Sequence, residues 1–229
     1  MPFLYGATLP EILLIVLASV IVMFAQSRVQ GAYQKFSRMA ANTRYTGADV
    51  ARMILRRQGI DNVEVVMGQG VLSDHYNPKT KVVSLSPAIF NTNSIAAVSV
   101  AAHEVGHAIQ HAHGYAFLAV RNTLLPLTVV AGNLAWGVIL LGLFISPQIM
   151  WIGIAMLGVV AVFQTVTLPI EFNASKRALN LLVDEGILSY DEQSYAKQML
   201  SAAALTYVAA LLATLFQILR LVLMNNRRR

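Results

Sequence analysis

The sequence contains no cysteine and few charged residues. The absence of cysteine excludes disulfide bonds, thiolate zinc fingers, iron–sulfur clusters and cysteine nucleophiles. Charged residues make up 12% of the 229 residues and hydrophobic residues 56%, whereas a soluble domain carries about 25% charged residues. This balance argues against a freely soluble globular protein and predicts one membrane-embedded domain with a small water-facing lobe.

The formal net charge is +6, and the basic residues lie beside apolar stretches. They are not interleaved with aromatic residues in the pattern that stacks nucleic-acid bases. We therefore expect the lipid bilayer, and not a nucleic acid, to be the partner of these basic residues.

Four apolar stretches are candidates for membrane-spanning helices, each of which needs about 20 residues to cross a bilayer. They cover Leu9–Gln26, Thr123–Ile145, Gln148–Ile170 and Ala202–Met224. The break at Ser146-Pro147 is so short that it predicts an antiparallel helical hairpin of the second and third stretches. The fold class is therefore expected to be a mainly α-helical, multi-pass membrane protein.

The polar stretch after the first span is expected to form a small α+β lobe with a short β-sheet. It begins with a basic segment that reads as two helices, and short strands follow at Val63–Met67, Val71–Tyr76 and Lys81–Ser86. The turn at Asn77–Thr80 has proline at its second position, which suits a β-turn. Ile95–His111, rich in alanine and valine, follows as a helix.

The chain is expected to divide into five segments. These are an N-terminal membrane helix (1–26), the lobe with the His-rich helix (27–115), a transmembrane hairpin (116–170), a helical segment (171–201), and a last membrane helix with a basic tail (202–229). The segment 171–201 reads as two amphipathic helices broken near Asp184-Glu185-Gly186.

Loop charges give conflicting signals about orientation. The basic residues after the first span predict a cytoplasmic lobe by the positive-inside rule. Four crossings then leave the C-terminal arginines outside, contrary to the same rule; they are Arg220, Arg227, Arg228 and Arg229. Because the lobe has more basic residues close to a span end, we expect it to lie in the cytoplasm.

The sequence His103-Glu104-Val105-Gly106-His107 carries the clearest chemical signal. Residues four apart share one helix face, so His103 and His107 can offer two imidazoles to one zinc ion, and Glu104 lies close enough to reach a metal-bound water. Surface or capping histidines are the alternative interpretation. That alternative fits poorly, because the surrounding residues are apolar and an unpartnered polar group there is costly.

A catalytic zinc site usually has a third protein ligand, for which the sequence offers three candidates. His111 lies two turns beyond His103, about 12 Å along a straight helix, which is too far to share one ion. His113 has the spacing of an extended zinc motif, but that motif needs glycine where this chain has Gln110. Glu171, just past the third span, is the remaining candidate, with an ordinary interfacial acid as the alternative.

Three segments, Leu72–Pro78, Ala96–Gln110 and Leu168–Ser175, resemble the bacterial membrane-bound neutral zinc metallopeptidase family. More distantly, the layout is similar to heat-shock membrane zinc peptidases and CAAX prenyl endopeptidases, in which a later Glu-x-x-Ala-Asp supplies the third ligand. The resemblance implies a zincin-like lobe in which His103, His107 and Glu171 bind Zn²⁺ and Glu104 is the catalytic base. Ser175 stands where the distant families have the aspartate that orients a ligand histidine.

The expected activity is zinc-dependent hydrolysis of peptide bonds at a bacterial cell membrane, on peptides or membrane proteins. The oxyanion of the reaction needs a donor, and His75, Tyr76 and Arg177 are the candidates. A peptide substrate could add as a strand to the sheet edge, which we expect at Lys81–Ser86.

Two alternatives stay open at this point. One is a non-catalytic zinc-binding membrane scaffold. The other is a site-2-type intramembrane protease, which needs the histidine motif in a full-length apolar helix, whereas only Ile95–Ala102 precedes His103 here. The sequence does not give the oligomeric state.

Overall fold

The computed structural model describes residues 8–227. The part of the expected N-terminal segment before Thr8, and Arg228 and Arg229 of the basic tail, lie outside the described residues. The described chain is mainly helical with one small sheet, which confirms the expected fold class. Its elements run in the order α1 (Leu9–Ser37), α2 (Gly47–Arg57), β1 (Glu64–Met67), β2 (His75–Asn77), β3 (Val82–Leu85), α3 (Pro87–Phe90), α4 (Ile95–Ala112), α5 (Ala116–Phe144), α6 (Pro147–Asp184) and α7 (Tyr190–Asn226).

The described residues form two compact units. The membrane unit comprises 8–26, 119–168 and 206–227, and the lobe comprises Ser27–Leu118 and Pro169–Leu205. Helices α1, α5, α6 and α7 are long and apolar enough to cross a membrane. Each contains one of the four expected spans, except that α5 ends at Phe144, one residue before the expected end of the second span. Because α6 and α7 run through both units, each is partly apolar span and partly lobe.

Three of these helices extend well beyond the apolar stretches. No proline or glycine pair interrupts the basic segment after residue 26, so α1 continues to Ser37. The two expected basic helices are therefore the end of α1 and the separate α2. The expected break near Asp184 is confirmed, since α6 ends there and α7 begins at Tyr190.

Within the membrane unit, α5 and α6 form the expected antiparallel hairpin. A Cβ atom on Gly142 would lie 2.3 Å from the backbone nitrogen of Met150, so the hairpin needs glycine at this close approach. Glu11, near the start of α1, is buried and forms an ion pair with Arg227, near the end of α7. The start of α1 and the end of α7 therefore lie at the same end of the membrane unit, which is consistent with four spans.

The lobe contains a three-stranded sheet in the order β1-β3-β2. Strand β3 pairs in parallel with β1 through Val83 and Val65, and antiparallel with β2 through Val83 and Tyr76. The expected free edge at Lys81–Ser86 is therefore wrong, because β3 is the central strand. Val83 and Leu85 point into the core and are buried, and Ser86, which follows the strand, is buried as well.

The second expected strand, Val71–Tyr76, is also shorter than the sequence suggested. Gly70 and Leu72 have φ angles of 92° and 54°, in the left-handed region that no strand uses. The carboxylate of Asp74 then accepts hydrogen bonds from the backbone nitrogen and the hydroxyl of Ser86. These hydrogen bonds fix Asp74 beside the end of β3, so the pairing of β2 with β3 begins only at His75.

Helix α4 lies in the centre of the lobe core. Its N-cap Ser94 accepts a hydrogen bond from the backbone of Ala97, and the helix confirms the expected Ile95–His111 within one residue. A Cβ atom on Gly106 would lie 2.9 Å from the carbonyl oxygen of Ala174. Glycine at 106 therefore lets α4 approach the lobe part of α6 at backbone distance, which brings the His-rich helix beside Glu171.

Candidate metal centre

The three side chains that the sequence nominated as ligands meet in the lobe. The Oε2 atom of Glu171 lies 3.4 Å from Nε2 of His103 and 3.7 Å from Nε2 of His107. One ligand atom from each residue lies within 4.8 Å of the other two. The group could therefore hold one metal ion.

Helix geometry accounts for this meeting. His103 and His107 are one turn apart on α4 and their rings are 4.7 Å apart, nearly perpendicular to each other. Glu171 is on α6, two residues after Pro169. The close packing of Gly106 against Ala174 holds the two helices at the distance that joins these side chains.

Each histidine has a polar partner on its other ring nitrogen. The hydroxyl of Ser175 lies 3.2 Å from Nδ1 of His103, and Oε1 of Gln110 lies 3.0 Å from Nδ1 of His107. Such contacts fix ring orientation and leave Nε2 to bind a metal. Ser175 was predicted from the resemblance. Gln110 was missed as a partner, although its position three residues after His107 on a helix was the signal that could have found it.

Gln110 is fully buried and links α4 to α6. Its amide nitrogen donates to the carbonyl oxygen of Ile170 at 2.8 Å and to Oδ1 of Asn173 at 3.0 Å. The Nε atom of Arg177 donates to the same Asn173 oxygen at 2.8 Å. Arg177 is thus connected to His107 through two amide side chains.

The electrostatics of the site favour positive charge. Glu104 and Glu171 are both buried. Burial acts to lower the pKa of His107, but the nearby Glu171 carboxylate and the charge of Glu104 outweigh burial and raise it. Two buried carboxylates beside two imidazoles create a negative potential that a cation would neutralise.

The donor set fits zinc. The Oε2 atom of Glu171 is buried and makes no hydrogen bond of normal geometry, but it lies within ion-pair distance of both imidazoles, where a shared cation would satisfy all three groups. Zinc binds imidazole nitrogen and carboxylate oxygen at about 2.0–2.2 Å, so neighbouring ligand atoms in a tetrahedral site are about 3.4 Å apart. The separations of 3.4 and 3.7 Å agree with that spacing.

The remaining candidates lie outside the ligand group. The exposed His75 makes a 2.8 Å contact from Nδ1 to the carbonyl oxygen of Ser73. The hydroxyl of Tyr76 lies 2.8 Å from Nδ1 of His111, and His113 is the C-cap residue of α4. Among the described residues, the ligand group includes neither His111 nor His113. For His111 this agrees with the prediction that it lies too far along the helix from His103 to share one ion.

Comparison with known proteins gives two matches. The family model described as "Putative neutral zinc metallopeptidase" matches residues 11–226. The "Putative membrane protease YugP" of Bacillus subtilis (strain 168) is 42% identical over 207 residues, which cover 89% of this chain and 92% of that protein. No solved structure matches the chain.

Proposed function

The chain belongs to the neutral zinc metallopeptidase family, and we propose that it is a zinc-dependent membrane endopeptidase that hydrolyses peptide bonds. The observation that carries this proposal is the buried carboxylate oxygen of Glu171, which lies 3.4 and 3.7 Å from the Nε2 atoms of His103 and His107, with the buried Glu104 next to His103 on α4.

His103, His107 and Glu171 would hold the zinc ion. A bound zinc ion supplies a Lewis acid that brings the pKa of water toward neutrality and polarises a carbonyl group. Ser175 and Gln110 contact the Nδ1 atoms of the two imidazoles, the ring nitrogens that do not face Glu171. Each ligand histidine therefore keeps one fixed orientation.

Glu104 is the proposed general base. It takes a proton from the attacking water and passes it to the leaving amine nitrogen, so one carboxylate serves as base and then as acid. Its burial beside apolar residues of α4 keeps competing solvent away from that carboxylate. Of the three donors that the sequence proposed for the oxyanion, His75 and Arg177 remain the candidates, because the hydroxyl of Tyr76 contacts Nδ1 of His111.

We propose that the substrates are membrane proteins or peptides close to the bilayer. Glu171 follows Leu168, the last membrane-unit residue of α6, by three positions. By chain connectivity alone, this ligand is close to the end of an apolar span. The basic residues after the first span favour a cytoplasmic lobe.

Two other functions are less well supported. Helix α4 belongs to the lobe and is not one of the four candidate spans among the described residues, which argues against a site-2-type protease with its motif inside the bilayer. A non-catalytic zinc scaffold would share the ligand geometry, so only an activity measurement separates it from the peptidase.

The test is zinc content and quenched-peptide hydrolysis by detergent-purified protein. We expect about one zinc per chain, hydrolysis lost on chelation and restored by zinc, and both zinc and hydrolysis lost in Glu171→Ala. Glu64→Gln, an exposed glutamate on β1, is the control and should behave as wild type. Bound zinc without hydrolysis of any peptide or membrane substrate would favour the scaffold, and absence of zinc would overturn both.

A further inference from the structure

A cavity of about 540 Å³ lies in the lobe beside the end of α4. Its volume is in the range of sites that bind small molecules or peptide segments, about 300–1,000 Å³. The loop after α2, strand β2, the turn before β3 and helix α4 all contribute to its lining. Its polar and charged lining residues are Asp61, Asn62, Tyr76, Lys81 and His111.

By helix spacing, the cavity lies on the same side of α4 as Glu104, although neither Glu104 nor a proposed metal ligand lines it. Ala108 lines the cavity and lies four residues after Glu104 on α4, so the two share one face about 6 Å apart. His111 lies about 10 Å beyond Glu104 along the helix axis. An extended peptide advances about 3.3 Å per residue, so a substrate residue about three positions from the cleaved bond can reach His111.

His111 is held in place by Tyr76. The hydroxyl of Tyr76 and Nδ1 of His111 are 2.8 Å apart, and the two rings pack with centroids 5.9 Å apart. Burial raises the pKa of the Tyr76 hydroxyl, so this group keeps its proton and can donate it to Nδ1. When Nδ1 of His111 accepts from Tyr76, the ring proton is on Nε2, where it can be donated to a ligand.

Lys81 occupies a backbone conformation that disfavours a side chain. Its φ angle is 56° in the turn before β3, a region in which glycine or asparagine costs less free energy than lysine. Residues held in such conformations are concentrated at functional sites. Lys81 lines the cavity, so its side chain is a candidate for ligand contact.

We propose that this cavity binds an acidic substrate residue near the cleaved bond, with Lys81 and His111 recognising its carboxylate. The proposal rests on the proposed function, since it gives the endopeptidase a substrate preference. Lys81, Asn62 and His111 offer donors to a carboxylate, whereas Asp61 is the one acidic side chain in the lining. The negative charge of Asp61 should therefore weaken the preference for an acidic substrate residue.

The test is binding of labelled hexapeptides to the zinc-loaded Glu104→Gln protein, measured by fluorescence anisotropy. The peptides are alanine-based and come in matched pairs, one with glutamate and one with glutamine at the same position. A separate pair is made for each position of the hexapeptide. We expect glutamate at one position to strengthen binding about five-fold over glutamine, the size of one partly exposed ion pair.

Three variants in the same Glu104→Gln background locate the effect. Lys81→Gly relieves the left-handed backbone, so it should fold as well as its parent while losing most of the glutamate preference. Asp61→Asn should increase the preference. Lys79→Gly, in the same turn but outside the cavity lining, is the matched control and should leave the preference unchanged.

The outcomes separate this proposal from the proposed function. Equal binding of glutamate and glutamine peptides, no peptide binding, or a preference that survives Lys81→Gly would overturn the cavity proposal. If wild type hydrolyses the same peptides without regard to glutamate, the peptidase stands and the cavity proposal falls. If the Glu104→Gln protein selects glutamate peptides but wild type hydrolyses none, the cavity's recognition of glutamate stands, while the peptidase and the cleaved bond next to that glutamate fall.

Discussion

The side-chain oxygen of Gln110 lies 3.0 Å from Nδ1 of His107, three residues earlier on α4. The orientation of the amide is fixed from the other side, because its nitrogen donates to the carbonyl oxygen of Ile170. An amide oxygen can only accept, so Nδ1 of His107 carries a proton toward Gln110, which leaves Nε2, 3.7 Å from Oε2 of Glu171, as the nitrogen that can bind a metal. A buried glutamine thus selects the histidine tautomer that binds a metal.

Replacing Gln110 by leucine should weaken zinc binding. The change removes the acceptor for Nδ1 of His107 and leaves the carbonyl oxygen of Ile170 without this donor, and loss of such a supporting contact costs about 10–100-fold in metal affinity. Competition against a chelator of known affinity measures it. Gln69→Leu, at an exposed loop position, is the control. Unchanged zinc affinity in Gln110→Leu would show that Gln110 does not orient His107.

Substitutions at Ser175 should move zinc affinity in opposite directions. Ser175→Ala removes the hydroxyl that lies 3.2 Å from Nδ1 of His103, so affinity should fall. Ser175→Asp places a charged acceptor there and should raise affinity, because charge-assisted hydrogen bonds are the stronger ones. The same chelator competition measures both. Equal affinities in the two variants would contradict this role for residue 175.

The close approach of α4 and α6 predicts a destabilising effect of alanine at position 106. The added methyl group would lie 2.9 Å from the carbonyl oxygen of Ala174, and overpacking of this kind costs about 1–3 kcal/mol. We expect a lower Tm for Gly106→Ala in detergent, together with weaker zinc binding. In Gly31→Ala the methyl group meets nothing within 4 Å, so that helix should be unchanged or slightly more stable. A Gly106→Ala protein with wild-type Tm and zinc affinity would show that α4 and α6 can move apart to accommodate the methyl group at no cost in stability.

Much of this arrangement is local and could be predicted from the sequence. The one-turn spacing of His103 and His107, the four apolar stretches and the break after Asp184 each depend on residues close together in the chain. The sheet was predicted less well, because strand order depends on long-range pairing, which placed β3 in the centre. The left-handed backbone at Leu72, which shortens β2, has no signal in its own side chain.

The site residues that come from distant parts of the chain were also predicted only in part. Glu171 was nominated by resemblance, since spacing alone gave no reason to prefer it to an interfacial acid. The role of Gln110 depends on Ile170 and Asn173, about sixty residues later in the chain, and no local pattern indicates that contact.

The absence of native cysteine makes the orientation of the lobe directly testable. Single cysteines can be placed at two exposed positions, Lys79 in the lobe and Asn226 at the end of α7. With a cytoplasmic lobe, an impermeant maleimide added to intact bacterial cells should label Asn226→Cys but not Lys79→Cys, and both should react after the cells are permeabilised. The reverse pattern would place the lobe outside.

The proposed membrane-proximal site should prefer substrates that are tethered to the bilayer. We expect one peptide sequence to be cleaved at least about ten-fold faster when anchored in the same liposome as the enzyme than when free, because tethering raises its effective concentration. The matched comparison joins the same anchor through a long rigid linker that holds the peptide away from the surface. Equal kcat/KM for the anchored and free peptides would count against a membrane-proximal site.

The central claim is tested most directly by comparing wild type with Glu104→Gln at equal zinc occupancy. Glu104 is not a proposed ligand, so the variant should keep about one zinc per chain while its peptide hydrolysis falls by about 10²–10⁴-fold, the contribution of a general acid–base group. Hydrolysis by Glu104→Gln at the wild-type rate, with zinc bound in both proteins, would contradict the assignment of Glu104 and of the peptidase site built around it.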